Sequence, residues 1–214
     1  IYLYNKIQTD DQTPAPAGNE VFCEFRQYII RRSSYMSLRP AKYINDEIVD
    51  GYLQFNHSDK NNVVPVLWSF FYTQLINDQQ AESRGENASE NSPSLHQRRH
   101  QRVRSYIRRI NLLDIDAVII PICKQSHWYA VVATDLNTDQ PKLFVLNSLS
   151  SCGKQQETAY DLKRFFEIEL KKNVSVHIPE VPKQHNNVDC ALFLMHNVEL
   201  VTKDIPDFKV YYTT

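Results

Sequence analysis

The chain has 214 residues, 42% hydrophobic and 23% charged, with a formal net charge of −1. These are the proportions of a globular protein that can bury a substantial core, and they disfavour bulk electrostatic attraction to nucleic acid or an anionic membrane. There is no apolar run long enough to span a bilayer and no secretory signal pattern. The cysteines at 23, 123, 152 and 190 form no CxxC pair and no metal-ligand spacing, which suits a reducing intracellular compartment. The start at Ile1 rather than Met reads as an excised domain.

Residues 1–19, with Thr13-Pro14-Ala15-Pro16-Ala17-Gly18, read as a flexible or extended entry. A helix is predicted from about Asn45 to Phe55: Asn45 and Asp46 are N-cap types, and Ile48, Val49, Tyr52, Leu53 and Phe55 make an apolar face. Residues 63–76 are dense in apolar side chains and predict a short strand leading into a helix. Residues 77–100 turn to Asn, Gln, Glu and Ser, with one Leu and no aromatic. Burial cannot offset ordering entropy there, so the stretch reads as a disordered insertion within a single domain spanning 1–214. A basic helix follows over Gln101–Arg109, then strand candidates Ala117–Ile122, Trp128–Leu136 and Lys142–Leu149. Gln155–Lys172 predicts a helix with one buried side, Val174–Val181 a short strand, and Asp189–Lys203 a buried helix. Strands and helices mixed in this way predict an α+β fold.

Cys190 stands at the start of that last helix, where the helix dipole is expected to lower a thiol pKa. The commonest role of a lone Cys before an apolar run is a small buried hydrophobe. The polar neighbours Gln184, Asn186 and Asp189 favour a nucleophile instead, with the Cys190 N–H and the Gln184 side chain as oxyanion donors. His127, at the start of a strand, is the candidate base. His57, His96, His100, His177 and His196 read as core or surface histidines, and His185 has no evident role. Asn147, at a strand end, is the candidate acceptor of the imidazole Nδ1–H, although turn Asn residues are common there. Trp128 could wall a narrow groove, though a core aromatic is the commoner role. The basic set Arg98, Arg99, Arg102, Arg104, Arg108 and Arg109 reads first as a solvated helix face, and second as a patch for an acidic surface or nucleic acid.

Taken together, these motifs resemble the ubiquitin-like-protein proteases, the SUMO-specific (sentrin) cysteine peptidases. The resemblance rests on His127-Trp128, Asn147-Ser148-Leu149 and Gln184-His185-Asn186-Asn187-Val188-Asp189-Cys190. It extends to Tyr43-Ile44-Asn45-Asp46-Glu47-Ile48-Val49, Ser69-Phe70-Phe71-Tyr72 and Ile119-Ile120-Pro121-Ile122. The polar stretch after Tyr72 is most similar to the branch that trims poly-SUMO chains.

The resemblance implies a papain-like cysteine peptidase fold, a central mixed sheet flanked by helices. It implies Cys190 as nucleophile, His127 as base, Asn147 as third member and Gln184 as oxyanion donor. Trp128, Tyr43, Asp46 and Asp189 would contact a Gly-Gly tail and its globular body, since only glycines pass between close walls. No metal or cofactor is implied. SUMO or another ubiquitin-like protein and its conjugates are the partners implied, with no membrane, a monomeric state and a nuclear setting. Three positions depart from the family pattern: Asn147 replaces Asp, Ala191 replaces Gly, and Tyr43 replaces Trp. The alternatives are a protease for another modifier such as NEDD8, a non-catalytic SUMO-binding domain, and a nucleic-acid module built on the Arg set.

Overall fold

The computed structural model describes residues 20–25, 28–57, 64–78, 94–149 and 153–213. It opens on an antiparallel hairpin, β1 (Val21–Phe25) and β2 (Tyr28–Arg31), followed by α1 (Arg32–Tyr35) and one 3₁₀ turn (Met36–Leu38). Helices α2 (Asp46–His57), α3 (Phe70–Ile76) and α4 (Leu95–Ile107) precede the main sheet. Its strands are β3 (Ala117–Lys124), β4 (His127–Thr134), β5 (Lys142–Leu146) and β6 (Ser175–His177). Helix α5 (Gly153–Leu170) lies between β5 and β6, and α6 (Cys190–Lys203) and α7 (Ile205–Thr213) close the chain.

The sheet order is β3-β4-β5-β6, antiparallel except for the parallel β5–β6 pair. The short strand expected before α3 is a parallel bridge of Val66 to Ile119, with Leu67 N–H donating to Ile119 O at 2.8 Å. Pro121 lies two residues further along that edge and has no N–H to extend the pairing.

The β-branched strands β3 and β4 are buried on both faces, as continuous apolar runs require. Ile119, Trp128, Ala130, Val132 and Phe144 pack with α2, α6 and α7. Val118, Ile120, Ile122, Tyr129, Val131 and Val145 pack with α3, α4 and α5. This is a mixed sheet between two helical layers. Among the described residues no helix is long and apolar enough to cross a membrane.

Several boundaries differ from the sequence expectation. Helix α4 starts at Leu95, before Gln101, because Ser94 and Gln97 form a reciprocal capping box. The expected disordered stretch 77–100 is therefore too long at its end: residues 94–100 belong to the cap and helix, and 79–93 lie outside the described residues. The entry segment 1–19 and Cys152 also lie outside them. Strand β6 is three residues, much shorter than Val174–Val181, and β5 ends at Leu146. The β1–β2 hairpin and α7 have no counterpart in the sequence reading.

The basic helix serves the fold in part. Arg99 pairs with Asp161 of α5 at 2.8 Å and with Asp78, while Arg102 donates to the Gln74 and Leu75 carbonyls near the end of α3, both at 3.2 Å. Arg104 reaches Glu169 at 3.5 Å. Arg99, Arg102 and Arg104 are thus engaged within the molecule.

Asp50 of α2 holds the start of α3, accepting from Ser69 N–H at 2.9 Å and Ser69 Oγ at 2.8 Å. Burial pushes its carboxyl up to about 6 against the opposing Ser69 hydrogen bonds. An acid whose folded pKa is raised stabilises the fold below its unfolded pKa and loses that contribution as pH rises through the folded value. Between pH 4 and 7.5 the stability difference between D50N and wild type should move in favour of the variant, by up to about 3 kcal/mol. Urea unfolding at the two pH values measures it, and a pH-independent difference would refute the assignment.

Candidate active site

Three elements converge at one end of the sheet. A two-residue turn, Gln125–Ser126, joins β3 to β4 with both residues at positive φ, 53° and 61°. This is the twist that a tight hairpin demands, and it makes His127 the first residue of β4. Asn147 follows the last residue of β5, the antiparallel neighbour of β4. Cys190 opens α6, which packs along β4.

The His127 Nε2–H donates to Asn147 Oδ1 at 2.7 Å. The expected contact was Nδ1; in the structure Nε2 makes it, which leaves the Nδ1 edge for a thiol proton. Asn147 is 3% exposed, and both ends of its side-chain amide are engaged. Its Oδ1 also accepts from Leu149 N–H at 3.0 Å, and its Nδ2 donates to Gln155 Oε1 at 2.8 Å. The imidazole stacks on Tyr129 with centroids 5.6 Å apart. Tyr129 is itself anchored by its hydroxyl to Thr158 Oγ1 of α5 at 2.6 Å.

Cys190 is 1% exposed. Burial pushes its thiol above the ordinary range and the Asp189 carboxylate adds to this. The backbone N–H groups of Trp128, Ala191 and Cys190 pull the other way, favouring the thiolate. The expectation of a thiol lowered by the helix start is therefore corrected: the helix N–H groups act in that direction, but desolvation outweighs them. The Trp128 contribution also places the sulfur against the start of β4, the strand that His127 opens.

Gln184 is buried and tied to the β5 end by two bonds. Its N–H donates to Ser148 O at 3.1 Å, and its Oε1 accepts from Ser148 Oγ at 2.6 Å. Its Nε2 donates one N–H to the Asn186 carbonyl at 2.6 Å, and the amide carries a second N–H. Asn186 Oδ1 accepts from Val188 and Asp189 N–H, each at 2.9 Å, shaping the turn into α6. Asp189 is engaged there through Asn186 Nδ2, at 2.6 Å.

Trp128 is buried, and its indole N–H donates to Ile44 O at 3.0 Å. That bond joins the start of β4 to the segment bearing Tyr43, which is 51% exposed. Asp46 is exposed in the first turn of α2, which Asn45 caps through Ile48 N–H at 3.3 Å. Ala191 is fully buried among the apolar residues beneath α6. Tyr129, Ser148 and Gln155 carry no role in the sequence reading; strand alternation sets Tyr129 beside His127, and the fold brings Ser148 to Gln184 and Gln155 to Asn147. Among the described residues no cluster of His, Cys, Asp and Glu could hold a metal ion.

Residues 42–210 match the model of the Ulp1 protease family, C-terminal catalytic domain. The chain is 25% identical to human sentrin-specific protease 7, over 78% of this chain and 23% of that protein. It is also 25% identical to the probable ubiquitin-like-specific protease 2B of Arabidopsis thaliana, over 81% of this chain and 21% of that protein. It thus spans under a quarter of the length of these curated relatives. Among solved structures it is similar to the C-terminal Ulp1 protease domain in complex with Smt3, the yeast ortholog of SUMO. That match has a TM-score of 0.67 and 19% identity, and covers 95% of this chain and 84% of that one. A structure of the Xanthomonas campestris effector XopD bound to ubiquitin matches with a TM-score of 0.58 and 14% identity, over 82% of each chain.

Proposed function

Because this chain belongs to the Ulp1 protease family, and is therefore a thiol protease domain, we propose that it removes SUMO from conjugates. In this reading it hydrolyses the isopeptide bond that follows a C-terminal Gly-Gly. The observation that carries the residue roles is the 2.7 Å bond from His127 to Asn147 beside a Cys190 sulfur that the Trp128 N–H faces.

Cys190 thiolate attacks the glycine carbonyl, and the developing oxyanion is held by the Cys190 N–H and the second N–H of Gln184. His127, protonated, gives its Nδ1 proton to the leaving lysine amine. Water then hydrolyses the thioester, with the neutral imidazole as base. Tyr43 and Trp128 flank the path of the tail, and Asp46 and Asp189 face the substrate body. The similarity to sentrin-specific proteases supports SUMO as modifier. Preference for SUMO chains, and a nuclear setting, belong to the same reading and rest on family resemblance.

Labelling with SUMO and NEDD8 C-terminal vinyl-sulfone probes tests this directly. The SUMO probe should form a covalent adduct on Cys190 and the NEDD8 probe should not. Labelling by NEDD8 alone would reassign the modifier, and labelling by neither would strike the enzyme reading.

A further inference from the structure

In a side-chain amide only one of the two terminal atoms can accept a hydrogen bond. Asn147 therefore supports His127 in only one of its two orientations. In the observed one, Oδ1 takes both the His127 Nε2–H and the Leu149 N–H, while Nδ2 donates to Gln155 Oε1. Turned about its terminal bond, the amide would aim Nδ2 at the Leu149 N–H, donor against donor. It would also require a lone pair at His127 Nε2, moving the ring proton to Nδ1, the edge that must accept the thiol proton. A carboxylate has no such wrong orientation, because both of its oxygens accept. At 3% exposure, Asn147 has little access to solvent water to replace a missing acceptor for Nδ2.

We propose that Gln155, in the first turn of α5, is a positioning residue of the reaction: by accepting from Asn147 Nδ2 it holds the amide with Oδ1 toward His127 and so sets the working imidazole tautomer. This rests on the reading of Asn147 as the acceptor that orients His127. Gln155 acts only through Asn147 and touches no reacting atom. It is the side-chain half of the arrangement, and Leu149 N–H is the backbone half.

The test is steady-state turnover of a SUMO–aminomethylcoumarin substrate by folded variants, checked by thermal melting. Q155A should lower kcat on the order of tenfold, the worth of one buried hydrogen bond, with KM within about twofold. Q155E keeps the acceptor and should recover most of that loss. In the N147D background the pattern changes. There Q155A should cost less than about twofold, because a carboxylate cannot be misoriented, and Q155E should cost on the order of tenfold, because two carboxylates then face each other. Equal costs of Q155A with and without N147D would overturn the proposal, since a merely structural Gln155 would behave that way. So would an unchanged kcat in Q155A where N147A falls. An unchanged kcat in N147A would instead overturn the role of Asn147 itself. Should Q155A melt early, the unequal costs of Q155E, small beside Asn147 and on the order of tenfold in N147D, carry the test alone.

Discussion

C190S should abolish labelling by a SUMO vinyl-sulfone probe and lower kcat by on the order of 10⁶, the scale on which a protease loses its nucleophile. The exchange of sulfur for oxygen at a residue 1% exposed changes little volume, so the thermal midpoint should hold. The other described thiols are poor substitutes. Cys123 is exposed as a residue, yet desolvation around its sulfur and the Asp46 carboxylate push its thiol up to about 11, so it is protonated near neutrality. Cys23 is exposed on the hairpin, remote in sequence from the convergent elements. Labelling that persists in C190S but disappears with C123A or C23A would refute the assignment.

Because burial raises the Cys190 thiol, its thiolate depends on a partner cation. Removing the imidazole with H127A should therefore slow alkylation by iodoacetamide at pH 7 and let it recover only as pH rises. A raised acid ionises later, which gives the sign. Alkylation at pH 7 as fast in H127A as in wild type would mean that the N–H groups at the helix start suffice alone.

N147A should lower kcat by on the order of 10- to 100-fold with KM little changed, part of the roughly 10²–10⁴ that a positioned acid–base group supplies. N147D should match or exceed wild-type kcat. One carboxylate oxygen keeps the bonds from His127 and Leu149, and the other faces Gln155, whose amide must turn to donate. A carboxylate beside the ring stabilises the imidazolium, so the thiolate–imidazolium pair persists to higher pH. The alkaline limb of the kcat/KM profile should then move upward. If neither substitution changes kcat or the profile, Asn147 is only a strand-end turn residue.

The order His127, Asn147, Gln184, Cys190 could be read along the chain because strand ends and a helix start are local features. The α2 cap at Asn45 and the continuous apolar runs of β3 and β4 could be read for the same reason. The capping box at Ser94 and Gln97 is also local, but the polar stretch before it hides it, and with it the residues of α4 that precede Gln101. The hairpin turn at Gln125–Ser126 had no such signal, since neither residue is the Asn or Gly that favours positive φ. Other features belonged to the tertiary structure alone. Which imidazole nitrogen meets Asn147 depends on ring orientation over Tyr129. The direction of the Cys190 shift depends on how deeply α6 buries the sulfur against β4. Gln155 reaches Asn147 only because α5 packs against the end of β5. Composition and periodicity identify which groups a chain carries and which segments place them at element ends. Hydrogen-bond direction and desolvation are set by atoms brought together from distant parts of the chain, and those only the fold supplies.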